Sequence, residues 1–217
     1  MITDTYRHKG LRKQLVAELE RLGISDKKVL EAINKVPRHA FMSSAFLEHA
    51  YENKAFSIAA GQTISQPYTV ARQTELLQVA PGMKVLEVGT GSGYQAAVLA
   101  AMGARVYSIE RHNILHQTAK RVLGLLNYRV HCIYGDGYKG LPAFAPFQRI
   151  IITCAVPRIP EALLDQLETG GRLVMPYGDG AVQEMTVLTK MPDGSFNRET
   201  YGAFSFVPML EKRSDTP

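Results

Sequence analysis

The chain has 217 residues, 46% hydrophobic and 21% charged, which is the balance of a globular protein and excludes wholesale disorder. Lysine and arginine number 25 against 20 aspartates and glutamates; a net charge of +5 on this length is too small a surplus to identify a nucleic-acid binder. No run approaches ~18 apolar residues, so no membrane span is expected, and Met1 to Gly10 lack the apolar region of a signal peptide.

Leu11, Leu15, Leu19 and Leu22 recur at helical spacing among lysines, arginines and glutamates, and Gly23 ends that helix. The basic residues there read as a solvated face. Ser25 is the expected N-cap of a second helix that carries Val29, Leu30 and Ile33 and stops before Pro37. A third, short helix holds Phe46 and Leu47. Ala59 to Tyr68 shows no period and reads as loop until Pro67, which suits the first turn of a helix. That helix buries Val70, Leu76 and Leu77 and ends at Pro81-Gly82.

From there short apolar runs alternate with helices. The runs are 84–88, 105–110, 130–135, 149–154 and 172–177; helices are expected near 94–102, 112–127 and 160–168. Doubly apolar strands alternating with helices predict a mostly parallel sheet covered on both faces, a Rossmann-like α/β core. Residues 184–190, the turn Pro192-Asp-Gly194 and residues 201–207 predict an antiparallel hairpin at one edge. Cys132 and Cys154 lie in apolar runs without CxxC spacing and read as free thiols in a reducing, cytoplasmic setting. His112 and His116 are four apart, but the intervening residues lack the glutamate of a zincin, so no metal is expected.

The chemistry concentrates in Val85-Leu-Glu-Val-Gly-Thr-Gly-Ser-Gly-Tyr94, between a predicted strand and a predicted helix. Gly89 and Gly91 match the first two positions of a dinucleotide-type turn, where glycine lets the backbone approach a ligand; the third position falls on Tyr94, with glycine at 93 instead. Glu87 would repel a pyrophosphate and suits a cationic ligand group. Glu110 ends the next strand about 20 residues beyond the glycines, where a ribose is held by its hydroxyls. Asp136, between Gly135 and Gly137, ends the third strand and is a candidate acceptor for an adenine amino group, against the plainer reading of an Asp-Gly turn. Three carboxylates and one glycine loop describe a site for S-adenosylmethionine better than one for NAD. After the fourth strand, Thr153-Cys-Ala-Val-Pro157 lacks the Asn/Asp-Pro-Pro-Tyr/Phe that holds a planar amine in amino-methylating enzymes.

With Gln62-Thr-Ile-Ser-Gln-Pro-Tyr68, Gly135-Asp-Gly137, Pro160 to Leu167, Gly170 to Pro176, Val36-Pro-Arg38 and Phe206-Val-Pro208 added, the chain resembles the protein-L-isoaspartate O-methyltransferases from about residue 10 to 210. The resemblance implies a class I methyltransferase core with an altered order of its last strands. It implies methyl transfer from S-adenosyl-L-methionine to the free carboxylate of L-isoaspartyl residues in damaged proteins and peptides. The ester then closes to a succinimide, which initiates repair. It implies Ser65 as the active-site residue, where a helix N-cap is the structural alternative. Glu87, Gly89, Thr90, Gly91, Gly93, Glu110, Asp136 and Gly137 would hold the cofactor. Ile64, Ser65, Ala155 and Val156 would meet the acceptor, with Cys154 a departure from the usual alanine or glycine. The expected organisation is one domain over 1–217. Within it, 1–80 is a helical extension with the acceptor-side loop, 81–178 the cofactor-binding core, and 179–217 the terminal hairpin and tail. No nucleic-acid or membrane partner is expected, and the protein is expected to be a monomer. The runner-up is a class I methyltransferase acting on RNA or a small molecule. A silent cofactor-binding module and a dehydrogenase stand further back.

Overall fold

Helix α1 (Tyr6–Arg21) begins one turn before the leucine row, because Thr5 caps it. The Thr5 hydroxyl accepts from the His8 N–H, and His8 Nδ1 accepts from the Thr5 N–H, a capping box with histidine in the usual glutamate position. The computed structural model describes residues 3–214. Leu15 and Leu19 are buried as the spacing requires, whereas Leu22 is exposed at the helix end. Arg12 departs from the expected solvated face. It is 5% exposed, and its guanidinium donates to both Asp4 oxygens, to Tyr51 Oη and to the Asn34 carbonyl. It therefore ties α1 to the segments that follow.

Helix α2 (Lys27–Lys35) is capped by Asp26, whose carboxylate accepts from the Lys28 N–H. Ser25, the expected cap, instead donates from its N–H and Oγ to Glu75 and so fastens the start of α2 to the helix that carries Glu75. Residues 44–49 form a 3₁₀ turn. A small antiparallel hairpin follows, β1 (Phe56–Ser57) with β2 (Thr63–Ile64), whose second strand lies in the stretch 59–68 expected to be loop. Helix α3 (Pro67–Leu77) starts at Pro67 as expected, but Gln78 adopts a left-handed conformation, φ 52°, and ends it three residues before Pro81.

The sheet contains β3 (Lys84–Val88), β4 (Arg105–Glu110), β5 (Val130–Tyr134), β6 (Phe147–Ile152), β7 (Leu167–Tyr177), β8 (Gln183–Lys190) and β9 (Phe196–Phe204). Its order is β5-β4-β3-β6-β7-β8-β9. β3 to β7 pair parallel, and β8 and β9 add antiparallel in chain order. The connecting helices are α4 (Tyr94–Ala101), α5 (Asn113–Leu125) and α6 (Glu161–Asp165). One face carries Val85, Val106, Ile151 and Val174, which pack with α1 to α4 and the end of α5. The other carries Leu86, Val88, Ile150, Ile152 and Leu173, covered by a thinner layer that includes Leu163 of α6.

Two boundaries differ from expectation for identifiable reasons. The helix expected over 160–168 has five residues, because the Gln166 side chain is held by the Leu141 N–H and the Lys139 carbonyl while its own carbonyl accepts from the Phe147 N–H. The chain is thereby drawn into β7 from Leu167. The last strand ends at Phe204, and residues 205–214 leave the hairpin. There Val207 and Met209 exchange backbone hydrogen bonds with Ala155.

Candidate functional site

Open parallel sheets bind ligands beyond the carboxyl ends of their strands, where the crossover direction reverses. Here that point is β3, flanked by β4 and β6. An open cleft lies there, the placement expected of a small-molecule site in an open α/β sheet. Its walls are the glycine loop, the end of β4, Gly137, Thr153-Cys154, the β2 segment Gln62 to Ser65, and the tail from Val207 to Leu210.

The loop 89–93 has no side chains to spare. The Gly89 and Thr90 N–H groups both donate to the Ile109 carbonyl, which turns the chain across the end of β4. Gly89 has φ 96°, and a Cβ there would stand 2.6 Å from Thr153 Oγ1, a group that donates to the Gly89 carbonyl. Glu110 fixes the far side. Its two oxygens accept from the Gly91 and His112 N–H groups, each at 2.8 Å, so the carboxylate is rigid at the cleft wall.

The structure brings together Ile64, Ser65, Gly89, Thr90, Gly91, Glu110 and Gly137, all of which line the cleft. It does not bring Glu87, Gly93, Asp136, Ala155 or Val156 to it. Glu87 is fully buried below the loop, on the strand face that points toward the helical layer. Its Oε2 accepts from Ser108 Oγ, Ser108 Oγ meets Thr90 Oγ1 at 2.5 Å, and burial pushes the carboxyl up to about 8. Gly93 is the left-handed start of α4 and packs beneath Ala119 and Leu123 of α5. Asp136 serves its turn and the tail: Oδ1 accepts from the Tyr138 N–H and Oδ2 from the Lys212 N–H. Ala155 and Val156 are buried and bridged by backbone to Pro208 and Tyr177.

Ser65 makes no hydrogen bond to another described residue, and it does not cap α3. The N-cap position belongs to Gln66, and the first turn is satisfied by Asn53, whose Oδ1 accepts from the Tyr68 N–H. The serine hydroxyl is therefore open to a ligand. A second, wider cleft runs from this serine along Asn53 to Ala55, Tyr68 and the residues 201–207. The two clefts share Thr63, Ser65, Thr153 and Val207.

Arg38, named above only as part of Val36-Pro-Arg38 and given no role, is fully buried with its guanidinium carbon 4.9 Å from the Tyr94 ring centroid; Tyr94 lines the cleft. One of its nitrogens donates to the Lys54 carbonyl, so it joins the glycine-loop side to the second cleft. A charged residue after Pro37 gave no sign of burial. Cys132 and Cys154 are free thiols, as their spacing implied. Burial, helped by Glu110, pushes the Cys154 thiol up to about 12. Among the described residues no helix is long and apolar enough to cross a membrane.

The sequence model of the protein-L-isoaspartate(D-aspartate) O-methyltransferase family matches residues 10–214. A protein-L-isoaspartate O-methyltransferase of Christiangramia forsetii is 55% identical over 97% of this chain and 99% of its own length. One of Flavobacterium johnsoniae is 53% identical with the same coverage. A solved protein-L-isoaspartate O-methyltransferase has a TM-score of 0.83 at 30% identity, covering 91% of this chain and 65% of that one. A Plasmodium falciparum structure of the same designation, in complex with S-adenosyl-L-homocysteine, has a TM-score of 0.76 at 24% identity over 92% of this chain and 98% of that one, and bears on the fold alone. The chain belongs to the protein-L-isoaspartate O-methyltransferase family.

Proposed function

We propose that this protein methylates the free carboxylate of L-isoaspartyl residues in damaged proteins and peptides, with S-adenosyl-L-methionine as donor, and so starts their repair through a succinimide. Ser65 carries this reading, because it stands with an unpartnered hydroxyl where a small-molecule cleft opens into a wider one. The small cleft suits the cofactor. The glycine loop runs close against Thr153, where a Cβ at Gly89 would clash, and its backbone forms one wall of the cleft; Glu110 presents a fixed carboxylate where ribose hydroxyls need an acceptor. The wider cleft suits a peptide. It replaces Ala155 and Val156 as the proposed acceptor side, with Ile64 and Ser65 retained at the junction.

When bound, the cofactor supplies an electrophilic methyl group on a sulfonium. Gly89, Thr90, Gly91, Glu110 and Gly137 hold the nucleoside end, and Ser65 donates a hydrogen bond that orients the acceptor carboxylate. That carboxylate is already ionised at neutral pH, so the protein needs no general base. Its work is alignment of two groups and exclusion of water. The Cys154 thiol in the cleft wall stays protonated at neutral pH, so it does not compete for the methyl group. We further propose that the chain works as one methyltransferase domain, as a cytoplasmic monomer, without nucleic acid. Its two free thiols fit a reducing compartment.

The test uses labelled S-adenosyl-L-methionine and two peptides of one sequence, differing only in an aspartyl or isoaspartyl linkage. Base-labile label is expected on the isoaspartyl peptide alone. Ser65→Ala is expected to slow transfer on the order of tenfold or more while cofactor affinity holds. Label on neither peptide, with cofactor bound, would discard the reading in favour of RNA or small-molecule acceptors.

A further inference from the structure

Three residues lining the cofactor cleft carry a buried polar atom without a partner among the described residues: Tyr94 Oη, His112 Nδ1 and Gln95 Oε1. The tyrosine hydroxyl has a proton to give, and His112 Nδ1 carries one because Nε2 accepts from Arg111, so only the Gln95 oxygen can do nothing but accept. Gln95 follows Tyr94 on α4, is 7% exposed, and lines the cleft beside Ile64 and Val70. Its Nε2 lies 2.9 Å from Thr74 Oγ1, and Thr74 Oγ1 lies 2.7 Å from the Val70 carbonyl oxygen. The carbonyl can only accept, so the single hydroxyl proton of Thr74 goes to it. Thr74 can then only accept from Gln95, which requires an N–H. This chain of bonds settles which end of the amide is which. The carbonyl oxygen of Gln95 is buried and has no partner among the described residues. A buried acceptor left unpaired costs about 1–3 kcal/mol, so this oxygen awaits a donor.

The nearby carboxylates are placed for other work. Glu87 does not line the cleft: its Oε2 accepts from Ser108 Oγ below the loop, and its Oε1 is buried there without a partner among the described residues. Both Glu110 oxygens hold backbone N–H groups and keep lone pairs for the ribose hydroxyls. An α-ammonium group brings three donors and a positive charge, which a carbonyl dipole attracts. A neutral amide also holds it without placing a second carboxylate inside an enzyme that methylates carboxylates.

Building on the cofactor reading above, we infer that Gln95 Oε1 receives the α-ammonium group of the methionyl end of the cofactor, directly or through one bridging water. Gln95 is then the residue that distinguishes the whole cofactor from its nucleoside half.

Calorimetric titration with two ligands tests this. S-adenosyl-L-homocysteine has the amino-acid end; 5′-methylthioadenosine keeps the nucleoside and sulfur but lacks it. Gln95→Met is expected to weaken S-adenosyl-L-homocysteine on the order of tenfold or more, and to leave methylthioadenosine unchanged. Gln95→Glu, which keeps an acceptor of the same reach, is expected to restore most of the affinity. Equal weakening of both ligands in Gln95→Met would reduce the residue to a packing role and overturn the inference. Unchanged S-adenosyl-L-homocysteine binding with a raised peptide KM would also overturn it, and would give the oxygen to the acceptor. If the unsubstituted protein binds neither ligand, the cofactor reading itself falls, a result seen before any substitution is made.

Discussion

Glu87 shows what a charge on the page does and does not convey. Its position two residues before Gly89 was legible, but its direction was not, because alternate strand residues face opposite sides and it shares the helical side with Val85. Burial holds its carboxyl up to about 8, against the hydrogen bond from Ser108 and with a small push from Glu110. The ordinary value is 4.5, so between there and about 8 the unfolded chain loses this proton while the folded chain keeps it. The folded state then binds more protons, and stability falls as pH rises through that window. Glu87→Gln removes the titration. Its melting temperature should draw above that of the unsubstituted protein from pH 5 to pH 8, and a gap that stays constant with pH would refute the account. The place of Ser65 and Glu110 on the cleft wall was legible, the one through a specific motif and the other through spacing. For Asp136 the letters did not decide between ligand and turn, because an Asp-Gly turn reads the same whether its carboxylate faces a cleft or caps the turn; here the carboxylate accepts from the Tyr138 and Lys212 N–H groups. Gln95 gave no sign at all, since a glutamine in a helix is ordinary until the bonds of Thr74 fix its orientation.

At the scale of elements, the small hairpin and α3 set the position of Ser65 between the two clefts. Asn53 holds this arrangement from three sides. Its side-chain oxygen accepts from the Tyr68 N–H, its carbonyl accepts from Gln66 Nε2, and its own amide reaches Glu18 of α1. Asn53→Ala removes the side-chain bonds at the start of α3, a loss of about 1 kcal/mol by analogy with other helix caps. It should raise the peptide KM several-fold and leave S-adenosyl-L-homocysteine affinity unchanged; steady-state kinetics and titration separate the two. The helices and core strands were legible because apolar spacing decides them. The β1–β2 hairpin was not, because strands of two residues have no period to read. The shortened α6 was hidden because side-chain bonds of Gln166 to residues 25 and 27 positions away override local preference.

Over the whole molecule, alternation of strands and helices conveyed the parallel core but not the strand order, which depends on pairings far apart in the chain. Nor did it convey that residues 205–214 would run back across the strand ends. This strap bridges Pro208 to Ala155, donates from the Lys212 N–H to Asp136, donates from the Ser214 N–H to the Arg111 carbonyl, and lines the cleft with Met209 and Leu210. A chain ended after Phe204 keeps every strand of the sheet but should lose S-adenosyl-L-homocysteine affinity at least tenfold, with far-ultraviolet dichroism nearly unchanged. The strap also orders events in time. Ribosomal synthesis delivers the glycine loop long before the wall that faces it, so a nascent chain has most of its sheet before it has a closed binding site. Products of interrupted translation would be folded yet inert, and only chains read through to the strap would compete for the methyl donor.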